Sequence, residues 1–452
     1  MKRFEKGGSV RAWEKTYICI DLKCFYASVE CIDRGLDPFK DRLVVADPER
    51  SNTTICLAIT PAMKALGVKN RCRVFEIPPG ITYIMARPRM RLYMKKSADI
   101  YAIYLRYVSP EDVHVYSIDE CFIDATPYLD LYDMGARDFA RLLMDAVRAE
   151  TGICATAGVG TNLFLAKVAL DITAKHALDN IGFLDEAAFK REIWFHRPLT
   201  DIWSIGPGIA RRLARYGARD LAGVAALSKE TLYREFGVNA EYLIDHAWGQ
   251  EPCTIAEIQR YKPEGHSMTN GQVLPGDYTF EEARLVLKEM VDASVLEMVE
   301  QGVVTERISL MVGYARSAGS FADVELFEGE HGKRPVGGHR WGLHTGGNRK
   351  LDRRTNSRAL LTACFEELYD ETTRRDAPIR RVNIGFGDLL PEEYGTLTLF
   401  DDEVALERER SLQEALVAVR GKFGKNAMLK GMSLREKATA RERNEQVGGH
   451  RA

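Results

Sequence analysis

Val113-His114-Val115-Tyr116-Ser117-Ile118-Asp119-Glu120-Cys121-Phe122-Ile123-Asp124 sets two adjacent carboxylates between two β-favouring runs. Val113, Val115, Tyr116 and Ile118 read as one strand, and Cys121, Phe122 and Ile123 as the next. Neighbouring side chains of a regular strand point to opposite faces, so Asp119 and Glu120 serve one site only if the backbone turns there. The pattern therefore predicts a hairpin with the acids at its tip. Two anions held together call for a cation, and oxygen ligands suit Mg²⁺ or Mn²⁺. Solvated turns also favour acids, so the pair needs a further ligand before it means more than a turn.

Tyr17-Ile18-Cys19-Ile20-Asp21-Leu22-Lys23-Cys24-Phe25-Tyr26-Ala27-Ser28-Val29-Glu30 offers that ligand. Its apolar start reads as a buried strand ending in Asp21, with the aromatic pair Phe25 and Tyr26 close behind. One acid at a strand end and two at a hairpin tip suffice for two divalent ions ~4 Å apart, the arrangement of in-line phosphoryl transfer.

Composition bounds the rest. A chain of 452 residues is too long for one ordinary core and predicts two to four domains. With 45% hydrophobic and 28% charged residues it reads as globular, which excludes a disordered chain, and no stretch resembles a membrane span. The first residues lack the apolar run of a signal peptide, so a cytoplasmic location is expected. Nine cysteines are scattered without a C-x-x-C spacing and read as small buried hydrophobes, neither zinc ligands nor a disulfide frame. A net charge of −2 does not advertise nucleic-acid binding, which would have to rest on a local basic face.

Taken together, the two quoted segments resemble the Y-family of DNA polymerases, the lesion-bypass enzymes, and most closely their UmuC-like bacterial branch. The matching residues are Asp21 with Cys24 to Glu30, and Ser117-Ile118-Asp119-Glu120 with Phe122 and Asp124. The resemblance implies a right-hand polymerase. Its α/β palm would be 1–25 and 91–176, its small fingers 26–90, and its helical thumb with a helix-hairpin-helix 177–250. A linker, 251–264, would lead to a separate α+β little finger, 265–388, that grips DNA, and a tail, 389–452.

The implied reaction is template-directed addition of dNMP from a dNTP to a primer 3′-OH on primer-template DNA, tolerant of damage and low in fidelity. Asp21, Asp119, Glu120 and the Leu22 carbonyl would hold two Mg²⁺, with Mn²⁺ as a substitute. Tyr26, beside Phe25, falls on the steric gate that collides with a 2′-hydroxyl, and Lys64 and Lys175 fall on positions that contact the triphosphate. Pro61 stands where many relatives carry a tyrosine, and Lys23 where many carry an acid.

Further along, Lys167, Asp171 and Lys175 lie four apart, which on one helix makes a salt-bridge ladder; Lys167 is expected to be structural. Ile202 to Leu213 resembles a helix-hairpin-helix, in which Gly206 and Gly208 let backbone amides approach a DNA phosphate at a helix N-terminus, with Arg211 beside them. From His331 to Arg381 twelve Lys/Arg face six Asp/Glu, the excess expected of a phosphate-gripping surface.

In the tail, Leu397, Leu399 and Phe400 resemble the Leu-x-Leu-Phe peptide that docks bacterial polymerases into the sliding clamp, with Thr396 in place of the usual glutamine. An activating accessory subunit is a further possible partner, and no membrane is. Two other classes stay open: a non-catalytic DNA-binding accessory protein, which would not need all three acids, and a nucleotidyl cyclase on a related palm, which would need neither thumb nor little finger.

Overall fold

The computed structural model describes residues 15–262, 267–315, 343–397 and 401–451. The chain divides into two compact units, Met1–Tyr261 and Lys262–Ala452.

The first unit is organised on the strand Tyr17–Leu22, whose alternation of Ile, Cys and Ile lets it be buried on both faces. It lies at the centre of a five-stranded sheet, in the order Val113–Val115, Glu120–Asp124, Tyr17–Leu22, Ala155–Gly160, Ile181–Leu184. Both immediate neighbours run antiparallel to it. The helix Leu163–Asp171 packs on this sheet, with Asn162 as its cap accepting from the Leu165 amide. It can approach only because the strand beneath carries glycines: a Cβ at Gly158 or Gly160 would lie 2.1 or 2.2 Å from the Ala166 backbone.

Three expectations change here. The hairpin turns earlier than the β-branched pattern suggests: the first strand stops at Val115, and Tyr116 and Ser117 both donate backbone N–H groups to the Glu120 carbonyl. A turn hydrogen bond thus overrides the β-propensity of Tyr116 and Ile118. The central sheet does not end at 176, because Ile181–Leu184 pairs parallel with Ala155–Gly160 and completes it. The stretch 251–264 is not simply a linker, since Thr254 and Glu257 form a capping box that starts the helix Ile255–Arg260. Ile255 is buried with Tyr17, Cys19 and Phe122.

Residues 26–90 include a three-stranded sheet, Ala58–Ile59, Leu43–Val45 and Ile84–Ala86 in that order, over a small core. Where Ile55 to Ile59 reads as a strand, only Ala58–Ile59 pairs continuously, and Ile55 makes an isolated bridge to Arg73. The helices Pro207–Ala214, Leu221–Ala225, Lys229–Phe236 and Ala240–Ala247 share one apolar cluster with Phe164, Leu165 and Val168.

The second unit is a five-stranded antiparallel sheet, with His344–Thr355, Val303–Tyr314, Ile379–Gly387 and Met268–Tyr278 in that order and Leu390–Pro391 also paired to Val303–Tyr314, and the helices Phe280–Gln301 and Arg358–Thr372 packed together against it. The tail helix Glu403–Phe423 packs in turn on Phe280–Gln301. The basic excess of 331–381 is largely met by acids. Arg349 pairs with Glu367 and Glu371, Lys350 and Arg354 with Glu306, Arg353 with Asp352 and Asp401, Arg375 with Asp370, and Arg380 with Asp277. Residues 331–342 of that stretch lie outside the described residues. The nine cysteines form no disulfide, and among the described residues no helix is long and apolar enough to cross a membrane.

Candidate active site

Register brings the acids together. Asp21 and Glu120 are direct partners across the antiparallel pair, which places their side chains on one face with Cα atoms ~5 Å apart. Asp119 is fixed beside them, because its carbonyl accepts the Leu22 amide at 2.9 Å and its carboxylate accepts the Ser117 hydroxyl at 2.8 Å. The three acids, nearly a hundred residues apart along the chain, therefore meet at one end of the central strand.

The electrostatics are those of crowded anions. Burial, with Asp119 and Glu120 adding to it, pushes the Asp21 carboxyl up to about 7. The counter-charge is Lys167, almost fully buried, whose Nζ lies 2.8 Å from Glu120 Oε1 and 3.0 Å from Asp171 Oδ1. Burial alone would lower this ammonium, but Asp171 and Glu120 outweigh it and hold it above the usual lysine range. The Cys19 thiol also donates to Glu120 Oε1, at 3.1 Å.

Among the described residues no three His, Cys, Asp or Glu side chains form a ready-made metal cradle, and Glu120 is paired with Lys167. The donor set still fits a hard divalent cation: carboxylates drawn together at one strand end, one of them raised by burial and by its two acidic neighbours.

The other expected residues lie as follows. Leu22 has a buried side chain. Phe25 is 2% exposed, so its ring belongs to the core and it can meet a ligand only through its backbone at the start of the helix Phe25–Asp33. Tyr26 is partly buried and stacks on Tyr93 with ring centroids 4.5 Å apart. Lys64 is exposed on the short helix Pro61–Ala65, where Pro61 takes the first turn and Thr60 caps. Lys175 is exposed too, but the α-helix ends at Asp171 and Lys175 sits in the 3₁₀ turn Thr173–His176, so the three-residue ladder is reduced to Lys167–Asp171. Lys23 donates to Asn180 Oδ1 at 2.5 Å.

In the hairpin-like turn, Gly206 is the N-cap of Pro207–Ala214, and a Cβ at Gly206 or Gly208 would meet nothing within 4 Å. Arg211 is exposed on that helix. Leu397 is 61% exposed, while Leu399 and Phe400 lie outside the described residues.

Two features of the site escape the sequence reading. Lys167 belongs to the acid cluster, and its only sequence signal is its spacing to Asp171. Trp203, just ahead of the glycine turn, donates its indole N–H to the Tyr116 hydroxyl at 3.1 Å, which ties that turn to the acid-bearing hairpin. No local pattern announces that pair.

Residues 20–171 match a model of the impB/mucB/samB family, and residues 266–399 a model of the impB/mucB/samB family C-terminal domain. A Bacillus subtilis (strain 168) protein named for UV-damage repair, UvrX, is 29% identical over 445 residues, covering 97% of this chain and 98% of that one. DNA polymerase IV 2 of the same organism is 29% identical over 444 residues, covering 97% and 99%. Among solved structures a Y-family DNA polymerase chimera aligns with a TM-score of 0.57 at 18% identity, over 83% of this chain and 99% of that one, a likeness of fold.

Proposed function

Because the chain belongs to the impB/mucB/samB family of UmuC-like, Y-family translesion DNA polymerases, we propose that Asp21, Asp119 and Glu120 are the carboxylates with which it holds its divalent cations, Mg²⁺ or in its place Mn²⁺. The enzyme is a DNA-directed DNA polymerase of translesion synthesis and depends on a divalent metal. Two such ions, when bound, supply the positive charge that stabilises the attacking 3′-oxygen and the leaving pyrophosphate. The observation that carries this assignment is the direct opposition of Asp21 and Glu120, with the Asp119 backbone bonded to the same strand end.

The remaining residues divide the work of binding. The Leu22 carbonyl adds an oxygen ligand. Amides at the start of Phe25–Asp33, where Cys24 takes a left-handed conformation and no side chain caps the helix, are free to meet phosphate. Lys64 and Lys175 bring exposed positive charge to the triphosphate, and the Tyr26 ring excludes a 2′-hydroxyl. Gly206 and Gly208 let the helix start at 207 approach a DNA phosphate, with Arg211 beside it. The palm, fingers, thumb and little finger follow the sheet, small-sheet, helical and second-unit segments described above. The tail peptide Leu397, Leu399 and Phe400 docks on the sliding clamp, an accessory subunit is a possible activator, and the enzyme works in the cytoplasm. A cyclase or a non-catalytic DNA-binding protein would leave either the thumb or the acid triad without a use.

Primer extension across an abasic template, with and without Mg²⁺, tests the reading. Asp119→Ala or Glu120→Ala should eliminate extension and leave primer-template binding largely intact; full activity in either variant refutes the assignment.

A further inference from the structure

Beneath the Tyr26 ring lies a charge network around one fully buried carboxylate, with its other charged members half-exposed, that no role so far explains. Glu30, one turn further along the same helix, is completely buried. Its carboxylate accepts Arg89 Nε at 2.9 Å on Oε1 and Arg89 Nη2 at 2.8 Å on Oε2, together with the Arg34 guanidinium. It also accepts the Tyr93 hydroxyl at 2.7 Å. Burial by itself would raise the Glu30 carboxyl, but the hydrogen bonds from Arg89, Tyr93 and Arg34 hold it below the usual carboxylate range. Arg89 further reaches Asp33 at 2.7 Å, so the fork is closed on both sides.

Tyr93 carries this rigidity to the surface of the site. Its ring is 0% exposed and lies nearly parallel to that of Tyr26, with 4.5 Å between centroids and 16° between planes. Tyr26 is partly open, and without a fixed neighbour its ring would share the freedom of other half-buried tyrosines about χ1 and χ2. A ring that discriminates between a hydrogen and a hydroxyl cannot tolerate that freedom, since a displacement of about 1 Å opens the space it is meant to close. Bidentate Arg–carboxylate pairing is the most directional polar contact available to fix such a ring.

We propose that Tyr93 and Glu30 are positioning residues for sugar selection: Glu30, locked by Arg89, pins the Tyr93 hydroxyl, and the Tyr93 ring in turn holds Tyr26 in the plane that blocks a 2′-hydroxyl. Neither touches the nucleotide. The inference rests on Tyr26 being the gate and goes beyond it.

The test is the ratio of single-nucleotide incorporation efficiency for dNTP over rNTP, measured on one primer-template with the full chain for wild type, Tyr26→Ala, Tyr93→Leu, Tyr93→Phe and Glu30→Gln. Tyr26→Ala should lose most of the selectivity. Tyr93→Leu, which removes the stack, should lower the ratio about tenfold through faster rNTP incorporation, the factor that one aromatic pair's geometric preference corresponds to. Tyr93→Phe keeps the ring and loses only its anchor, so it and Glu30→Gln should fall between wild type and Tyr93→Leu. A merely structural role would slow both nucleotides together and leave the ratio unchanged. Should Tyr93→Leu not fold, the Tyr93→Phe and Glu30→Gln ratios decide alone. An unchanged ratio in these variants, with Tyr26→Ala relaxed, overturns the positioning role and keeps the gate; an unchanged ratio in Tyr26→Ala overturns both.

Discussion

Asp21 shows how the site is poised before any cation arrives. Its carboxyl, at about 7 in the folded metal-free protein, stands well above the ~3.9 of an unfolded aspartate. A raised folded value means that the folded state holds the extra proton: the associated stability is complete below ~4 and is lost as pH rises through 7. Metal-free protein should therefore lose stability between about pH 4 and pH 7 through this group, and Asp21→Asn should flatten that slope in thermal melts. A divalent cation competes with the same proton, so its apparent affinity should weaken as pH falls below 7; calorimetric Mg²⁺ titrations at pH 6 and pH 8 giving equal affinities would contradict this. Lys167 supplies the complementary test. Lys167→Met leaves Glu120 without its buried partner, at a cost of ~3 kcal/mol in the metal-free protein, and Mg²⁺ should restore part of the lost melting temperature. The sequence makes the acids legible because strand ends and tight turns are local events. Lys167 was not legible, since a lysine four residues from an aspartate looks the same whether its helix face meets water or a carboxylate.

Helices and turns here owe their positions to glycines of two kinds, and the two kinds predict opposite phenotypes. Gly158 and Gly160 are there for packing: a methyl group at either would overlap the Ala166 backbone, so Gly158→Ala should force the Lys167 helix off the sheet and cost at least ~2 kcal/mol. Gly206 and Gly208 face open space. Gly206→Ala and Gly208→Ala should leave stability within ~0.5 kcal/mol yet weaken primer-template binding to every sequence alike, because a phosphate and not a base is what the methyl would obstruct. Fluorescence anisotropy on two unrelated duplexes, beside a thermal melt, reads both quantities; a variant that melts early, or one that binds one sequence normally, would reject the phosphate-approach role. From sequence alone the two kinds cannot be separated, because Gly-Val-Gly and Gly-Pro-Gly are both simply places without side chains. The hairpin shows the same limit: Tyr116 and Ile118 have strand-like propensities, and only the two amides converging on the Glu120 carbonyl decide for a turn.

At the scale of the whole chain, the two units hold separate apolar cores: Leu274 through Leu389 form one, and the clusters of residues 17–258 form the others. The second unit's outer strands Met268–Tyr278 and His344–Thr355 are mostly polar and partly exposed, so no apolar alternation announces them in the sequence. Nor did the tail's role appear, because its partners are remote. Glu289, buried in the helix Phe280–Gln301, accepts the Thr439 and Ala440 amides at 2.8 and 3.1 Å, and Lys430 pairs with the buried Asp292. Removing residues 401–452 strips both carboxylates of these partners, and an unpaired buried charge costs ~3–5 kcal/mol. Separate cores should unfold as separate transitions, so the truncated chain should show one calorimetric transition shifted down by several degrees and one where it was. Glu289→Gln in the full chain keeps an acceptor for the two amides and removes only the charge, and should shift the same transition by less. If truncation moved both transitions equally, or neither, the tail would not be the buttress of the second unit that these buried carboxylates make it.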